Sequence, residues 1–154
     1  MKKIAIVFSL AIFIAACGTG AGSDVQPAST QAADNGNPSY DPNRGEGKFT
    51  KVDISPKLDP AMAATGEKLY GVKCGGCHKT TDEKLVGPGW KGVTSRHTPE
   101  WIMNFVTNTD AMITKDPKAQ AMLEICLVRM PNQNLADEDA RAIYEFMRKN
   151  DGVK

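Results

Sequence analysis

"GVKCGGCHKT" occupies residues 71–80 and places two cysteines and a histidine within five consecutive positions of a 154-residue chain that holds four cysteines in all. A Cys-x-x-Cys pair serves as a redox disulfide, as half of a zinc site or, when histidine follows directly, as the attachment point of a haem. These uses need different surroundings. What flanks Cys74, Cys77 and His78 therefore decides fold and chemistry together.

Compartment comes first, because it governs what cysteines can do. The N-terminus reads "MKKIAIVFSLAIFIAACG": Lys2 and Lys3, an apolar run over 4–16, then small residues before Cys17. That order describes a secretory signal. The run falls short of the roughly 20 residues that a membrane-spanning helix needs. "IAAC" at 14–17 resembles the lipobox of bacterial lipoproteins, in which the chain is cut before the cysteine and that residue is acylated. Cys17 is thus the expected lipid-bearing residue, since several acyl chains anchor a protein that one chain would hold only marginally. The plainer alternative is an ordinary cleaved signal with an incidental Cys17. Gly18 stands where the enteric pattern uses Asp to retain lipoproteins at the inner membrane. The expectation is the periplasmic side of a bacterial membrane, leaning towards the outer one.

Residues 17–48 are rich in Gly, Ala, Ser, Asn, Gln and Pro and nearly free of large apolar groups. Such a segment cannot bury enough surface to offset its ordering entropy, so it is expected to be a flexible linker. A tether of this length reaches roughly 30 Å on average and about 100 Å when extended. The expected organisation is a signal over 1–16, a lipidated linker over 17–48 and one small domain over 49–154.

That domain carries 15 Lys and Arg against 14 Asp and Glu, a balance that gives a nucleic-acid partner no electrostatic support. Its signals are helical. Asp59-Pro60 is an N-cap followed by a first-turn proline, and the sequence up to Cys74 has apolar residues at helical spacing. Thr98-Pro99-Glu100 opens a second helix ending near Asn108, and Asp116-Pro117 a third with Ala119, Met122, Leu123 and Cys126 in a stripe. "DEDARAIYEFMRKN" starts acidic and ends basic, as the helix dipole favours. No strand of convincing length appears. The expectation is an all-α domain of four to five helices, with Cys126 as a small core residue.

A zinc site would draw on Cys126 and His97 for its remaining ligands and leave His78 unexplained. A thioredoxin-type pair belongs at a strand-to-helix turn of an α/β fold. Haem attachment uses all three residues, with thioethers from Cys74 and Cys77 and an imidazole nitrogen of His78 on the iron. One covalent haem c is the cofactor expected.

From about residue 62 to 150 the chain resembles class I cytochrome c, a monohaem domain of bacterial electron-transfer chains. Gly66 and Tyr70 match its first helix where it crosses the last one, and Ile143 and Phe146 match the facing contacts. "VGPGWKGVTSR" resembles the loop after the haem motif. The resemblance implies that the Pro88 carbonyl accepts a hydrogen bond from the proximal imidazole, that Trp90 packs on the haem, and that Arg96 meets a propionate. Trp101 has two readings, a second propionate donor or a core aromatic. Ala136 departs from the family, standing where the last helix usually has Ser or Thr as its cap, with Asn134 as a substitute.

The sixth iron ligand separates an electron carrier from a ligand-binding haem protein. Met62, Met122 and Met147 sit in helical patterns and read as core filler. Met112 and His97 are minor rivals. Pro131 cannot continue a helix and forces Met130 onto a loop before the last helix. The family places its axial methionine on such a loop, often directly before proline, so the implied metal ligands are His78 and Met130.

The resulting expectation is a tethered monomeric electron carrier, not an enzyme, working between a quinol-oxidising complex and a terminal oxidase or reductase, nitrous oxide reductase among them. No small-molecule substrate is expected. Lys73, Lys79, Lys84 and Lys91 cluster around the haem motif and read either as a docking ring for an acidic partner or as ordinary solvated charge. The alternatives are a five-coordinate haem protein that binds peroxide or a diatomic gas, and a zinc-stabilised domain.

Overall fold

A computed structural model describes residues 40–154. Cys17, the signal and most of the linker lie outside the described residues. Six helices run through the described part: α1 (Pro60–Lys73), α2 (Val93–Arg96), α3 (Pro99–Thr107), α4 (Thr109–Lys115), α5 (Pro117–Cys126) and α6 (Asp137–Asn150). The only strand-like feature among these residues is an isolated antiparallel bridge between His78 and Lys84. No helix of the described residues is long and apolar enough to cross a membrane.

Three helices begin the same way, with a capping side chain followed by proline. The Asp59 carboxylate accepts from the Ala61 and Met62 amides, the Thr98 hydroxyl from Trp101, and Asp116 from Ala119. Each cap satisfies amides that the first turn leaves unpaired, and the proline has no amide there to lose. Helix α6 lacks a side-chain cap at Ala136 and relies on Asp137, Glu138 and Asp139 against the dipole. Asn134 does not cap it. With φ at 49°, Asn134 turns the chain instead.

The expected count of four to five helices falls short of the six, and the four named from the sequence leave out two short ones. Helix α2 is a single turn entered through Gly92 at φ 72°, and α4 resumes immediately after the break at Asn108. Neither is long enough to show a helical period on its own.

The first and last helices cross at Gly66. A Cβ there would run into the Ala142 carbonyl, so only glycine allows this approach. Tyr70 and Phe146 meet with ring centroids 5.2 Å apart, and Ile143 is fully buried beneath them. Glu145, also fully buried, accepts the Asp59 amide at 2.9 Å and pairs with Arg148 at 2.8 Å and Arg141 at 2.6 Å. Arg148 extends the network to the Ser55 carbonyl at 2.7 Å. A buried carboxylate is tolerable because its lone pairs are filled in this way.

The packed body begins earlier than residue 49. At Tyr40, the first described residue, the hydroxyl already donates to Asp116 at 2.6 Å. The fully buried Asn104 side chain donates to the Arg44 and Phe49 carbonyls and accepts the Phe49 amide, each at 2.9 Å. Residues 40–48 thus belong to the folded body and not to a flexible linker. They are held by polar side chains of α3 and α5, a kind of anchoring that leaves no apolar pattern in the segment itself.

Candidate functional site

Helix α1 ends at Cys74, whose amide still bonds the Tyr70 carbonyl at 2.9 Å. The chain then turns back on itself, with the Cys77 and His78 amides donating to the Cys74 carbonyl at 3.0 and 2.9 Å. The Cys77 carbonyl in turn accepts from Val86 and Gly87, closing the loop 78–87 over the motif. Cys74 is buried and Cys77 exposed, and both are free thiols, as is Cys126. Burial pushes the Cys74 thiol up to about 11, helped by Cys77 and opposed by Lys73.

His78 is fixed from several sides. Its Nδ1 lies 2.9 Å from the Pro88 carbonyl oxygen. A carbonyl can only accept, so Nδ1 carries the proton and Nε2 keeps a lone pair for a metal. Burial holds the imidazole below its ordinary value, against the Pro88 bond, and so favours the neutral, ligating form. Tyr70 donates to the His78 carbonyl at 2.6 Å. A Cβ at Gly87 would strike the ring, so this glycine is the imidazole's seat.

Cys77, His78, Gly87 and Pro88 form part of an apolar cleft open to solvent. The rest of its wall comes from Phe105, Ile113, helix α5 and the loop after it, including Met130 and Pro131. His78 and Met130 therefore face one space from segments about fifty residues apart. Met122 also lines it. Met112 does not: it is fully buried and its sulfur accepts the Glu46 amide at 3.0 Å.

Other expected site residues lie elsewhere. Trp90 is buried behind the motif, its ring 5.7 Å from His78 and 4.9 Å from Tyr70, and it does not line the cleft. Arg96 donates to the Lys91 and Gly89 carbonyls, which ties its guanidinium to the loop 89–91. Trp101 is buried and its indole N–H donates to Asp116 at 3.0 Å, so that donor is spent within the protein. His97 stacks on Trp101 at 4.1 Å, outside the cleft.

Sequence reasoning missed most of the wall. The stripe Ala119, Met122, Leu123 and Cys126 is real, yet all four residues line the cleft. Cys126 is half-buried there, not a core filler. Periodicity locates an apolar face but not what that face covers.

The residues fit a thioether-linked haem. The free thiol of Cys77 and the neutral imidazole of His78 line one side of an apolar cleft, with the free thiol of Cys74 buried three residues before Cys77, and Val86 and Val128 in the lining are 37% and 54% exposed. A large apolar group seated there would cover side chains that otherwise face water. Among the described residues no group of three or more His, Cys, Asp or Glu side chains is arranged to hold a metal ion, which leaves a zinc site without its ligand set.

Comparison with known proteins agrees. The family model for cytochrome c matches residues 63–151. A cytochrome c from Rhodothermus marinus superposes with a TM-score of 0.66 at 33% identity, covering 68% of this chain and 90% of that one. An engineered form of the same protein, Rma TDE, gives 0.65 at 32% identity over the same shares. That engineered form bound to a carbene intermediate gives 0.62 at 32%, again over 68% and 90%. No curated protein matches the chain. With the CxxCH turn, the proline-held imidazole and the apolar cleft in place, the chain belongs to the cytochrome c family and is a haem-binding electron carrier whose cofactor is a covalently attached c-type haem.

Proposed function

We propose that the chain is a membrane-tethered periplasmic carrier of single electrons, in which His78 and Met130 would be the two protein residues that hold the haem iron. One observation supports this reading above others: the two residues line the same apolar cleft, while the rival Met112 is buried and hydrogen-bonded elsewhere. When bound, a c-type haem supplies a ferric–ferrous couple that exchanges one electron at a time. The protein's own part is to hold and tune. Pro88 keeps the proton on Nδ1 of His78 and strengthens Nε2 as a donor. A thioether from Met130 would favour the ferrous state of the bound haem, and the apolar wall would raise the potential further by excluding water. The ionisable side chains in the described wall are Cys77, His78, Cys126 and Arg129. With no carboxylate there, the wall lacks the acid–base pair that peroxide chemistry uses.

Cys17 and the segment after it supply the tether, and the partners are a quinol-oxidising complex as donor and a terminal oxidase or reductase as acceptor. Close to the cleft, Leu85, Ile125 and Leu127 are exposed apolar residues, and Lys79 is paired with Glu83. Docking through such a rim is governed by apolar contact and responds weakly to salt.

The test is the visible spectrum of the haem-loaded protein. A low-spin c-type spectrum, with the methionine-to-ferric band in the far red and no spontaneous carbon monoxide binding by the ferrous form, is the expected result. A high-spin spectrum would instead identify a ligand-binding haem protein.

A further inference from the structure

The segment that carries Met130 is unusually short of internal support. Among the described residues, no backbone–backbone hydrogen bond has a donor or acceptor in 128–135. Both ends of this stretch are turned through left-handed backbone at non-glycine residues, Leu127 at φ 60° and Asn134 at φ 49°, the two such positions among the described residues. Left-handed geometry costs a leucine more than an asparagine, so at Leu127 the surroundings must impose it. Local side-chain bonds, from Gln133 to the Pro131 carbonyl and from the Asn134 amide to Asn132, do not connect the loop to anything else.

Besides the packing of Leu135 on the core, two charged side chains bond the loop itself to the rest of the fold and a third bonds the last turn of α5 that leads into it. Arg129 pairs with Asp110 on α4 at 3.0 Å. The other two are lysines from the histidine side of the cleft. Lys84 donates to the Ile125 carbonyl at 2.8 Å, just before the loop, and Lys73 donates to the Gln133 carbonyl at 3.1 Å, near its end. Met130 lies between the two attachment points. Lys84 is also the residue whose backbone forms the bridge with His78. It therefore touches the histidine segment through its main chain and the last turn of α5, which leads into the methionine loop, through its ammonium group.

Resting on Met130 as the sixth ligand, we infer that Lys73 and Lys84 are positioning residues that strap the methionine loop across the cleft and set how readily Met130 leaves the iron. An exposed charged hydrogen bond is weak where the backbone is already fixed. Here the loop has no ladder of its own, so the straps carry a larger share of its order. A lysine suits the task because one flexible stem can reach an isolated carbonyl.

The experiment is an imidazole titration of the ferric, haem-loaded full chain, followed by the far-red methionine band. The proteins compared are wild type, Lys73→Met, Lys84→Met, the double variant, the double arginine variant, and Lys79→Met as a control whose lysine pairs within its own segment. Either single change should lower the imidazole concentration that removes the band by about two- to fivefold, and both together by about five- to twentyfold. The arginine pair should recover most of the difference, and Lys79→Met should match wild type. An unchanged titration in both single variants, or an equal shift in Lys79→Met, would overturn the strap. A wild-type protein without the band would instead overturn Met130 as the ligand, a distinct outcome read before any variant is compared.

Discussion

The Pro88 carbonyl and the His78 imidazole are joined by a hydrogen bond of 2.9 Å, and Gly87 between them in the fold leaves no room for a side chain. Ring orientation is thus set by backbone on two sides. Gly87→Ala should force the imidazole off its seat and destabilise the haem-loaded protein by about 1–3 kcal/mol, the usual cost of overpacking. The midpoint potential should shift with it, since the proximal bond is disturbed. Gly76→Ala is the matched control, because a Cβ there meets nothing within 4 Å. Denaturant unfolding and a redox titration of both variants check this, and equal behaviour would count against the seat.

The buried Glu145 predicts a pH dependence. Burial pushes its carboxyl up, but the Asp59 amide and the Arg141 and Arg148 guanidiniums together hold it below its ordinary 4.5. A carboxylate lowered on folding contributes stability that is present above that ordinary value and is lost as pH falls through the folded one. Glu145→Gln should cost about 3–5 kcal/mol at neutral pH by leaving its arginines uncompensated. The variant's unfolding midpoint should also fall less steeply than wild type in acid.

His97 works in a different window. Burial, followed by Lys118 and Arg96, pushes it down to about 4, with Asp116 opposing, and its Nδ1 is buried without a hydrogen-bond partner among the described residues. The folded state therefore prefers the neutral ring. Its contribution is present above the ordinary 6.5 and is lost as pH falls from there towards about 4. His97→Phe keeps an aromatic on Trp101 and should flatten the stability profile across that interval, as measured by denaturant midpoints at several pH values.

Much of the fold was legible because its signals are local. The three cap-proline pairs announce α1, α3 and α5, and the charge order of α6 announces the last helix. Gly66 was legible through its family likeness, and its reason is steric. The single turn α2, the break at Asn108 and the packing of residues 40–48 were not, since each depends on partners distant in sequence. Asn104 and Asp116 hold the early segment by hydrogen bonds that no periodicity records. At the site, the motif pointed to His78, the family likeness to Pro88, and Pro131 together with that likeness to Met130, and all three line one cleft. Of the two readings of Trp101 the structure carries the core aromatic, and the protein acceptors that Arg96 and Trp101 find, the carbonyls of 89 and 91 and the Asp116 carboxylate, are ones that only the folded chain brings near.

The most direct test of the central claim, closure of the iron by His78 and Met130, is the far-red band of the ferric haem-loaded protein in Met130→Ala and Met122→Ala. These are the two methionines in the cleft wall. The account predicts that Met122→Ala keeps the band while Met130→Ala loses it and binds carbon monoxide in the ferrous form. A band that survives in Met130→Ala, or disappears in Met122→Ala, would contradict it.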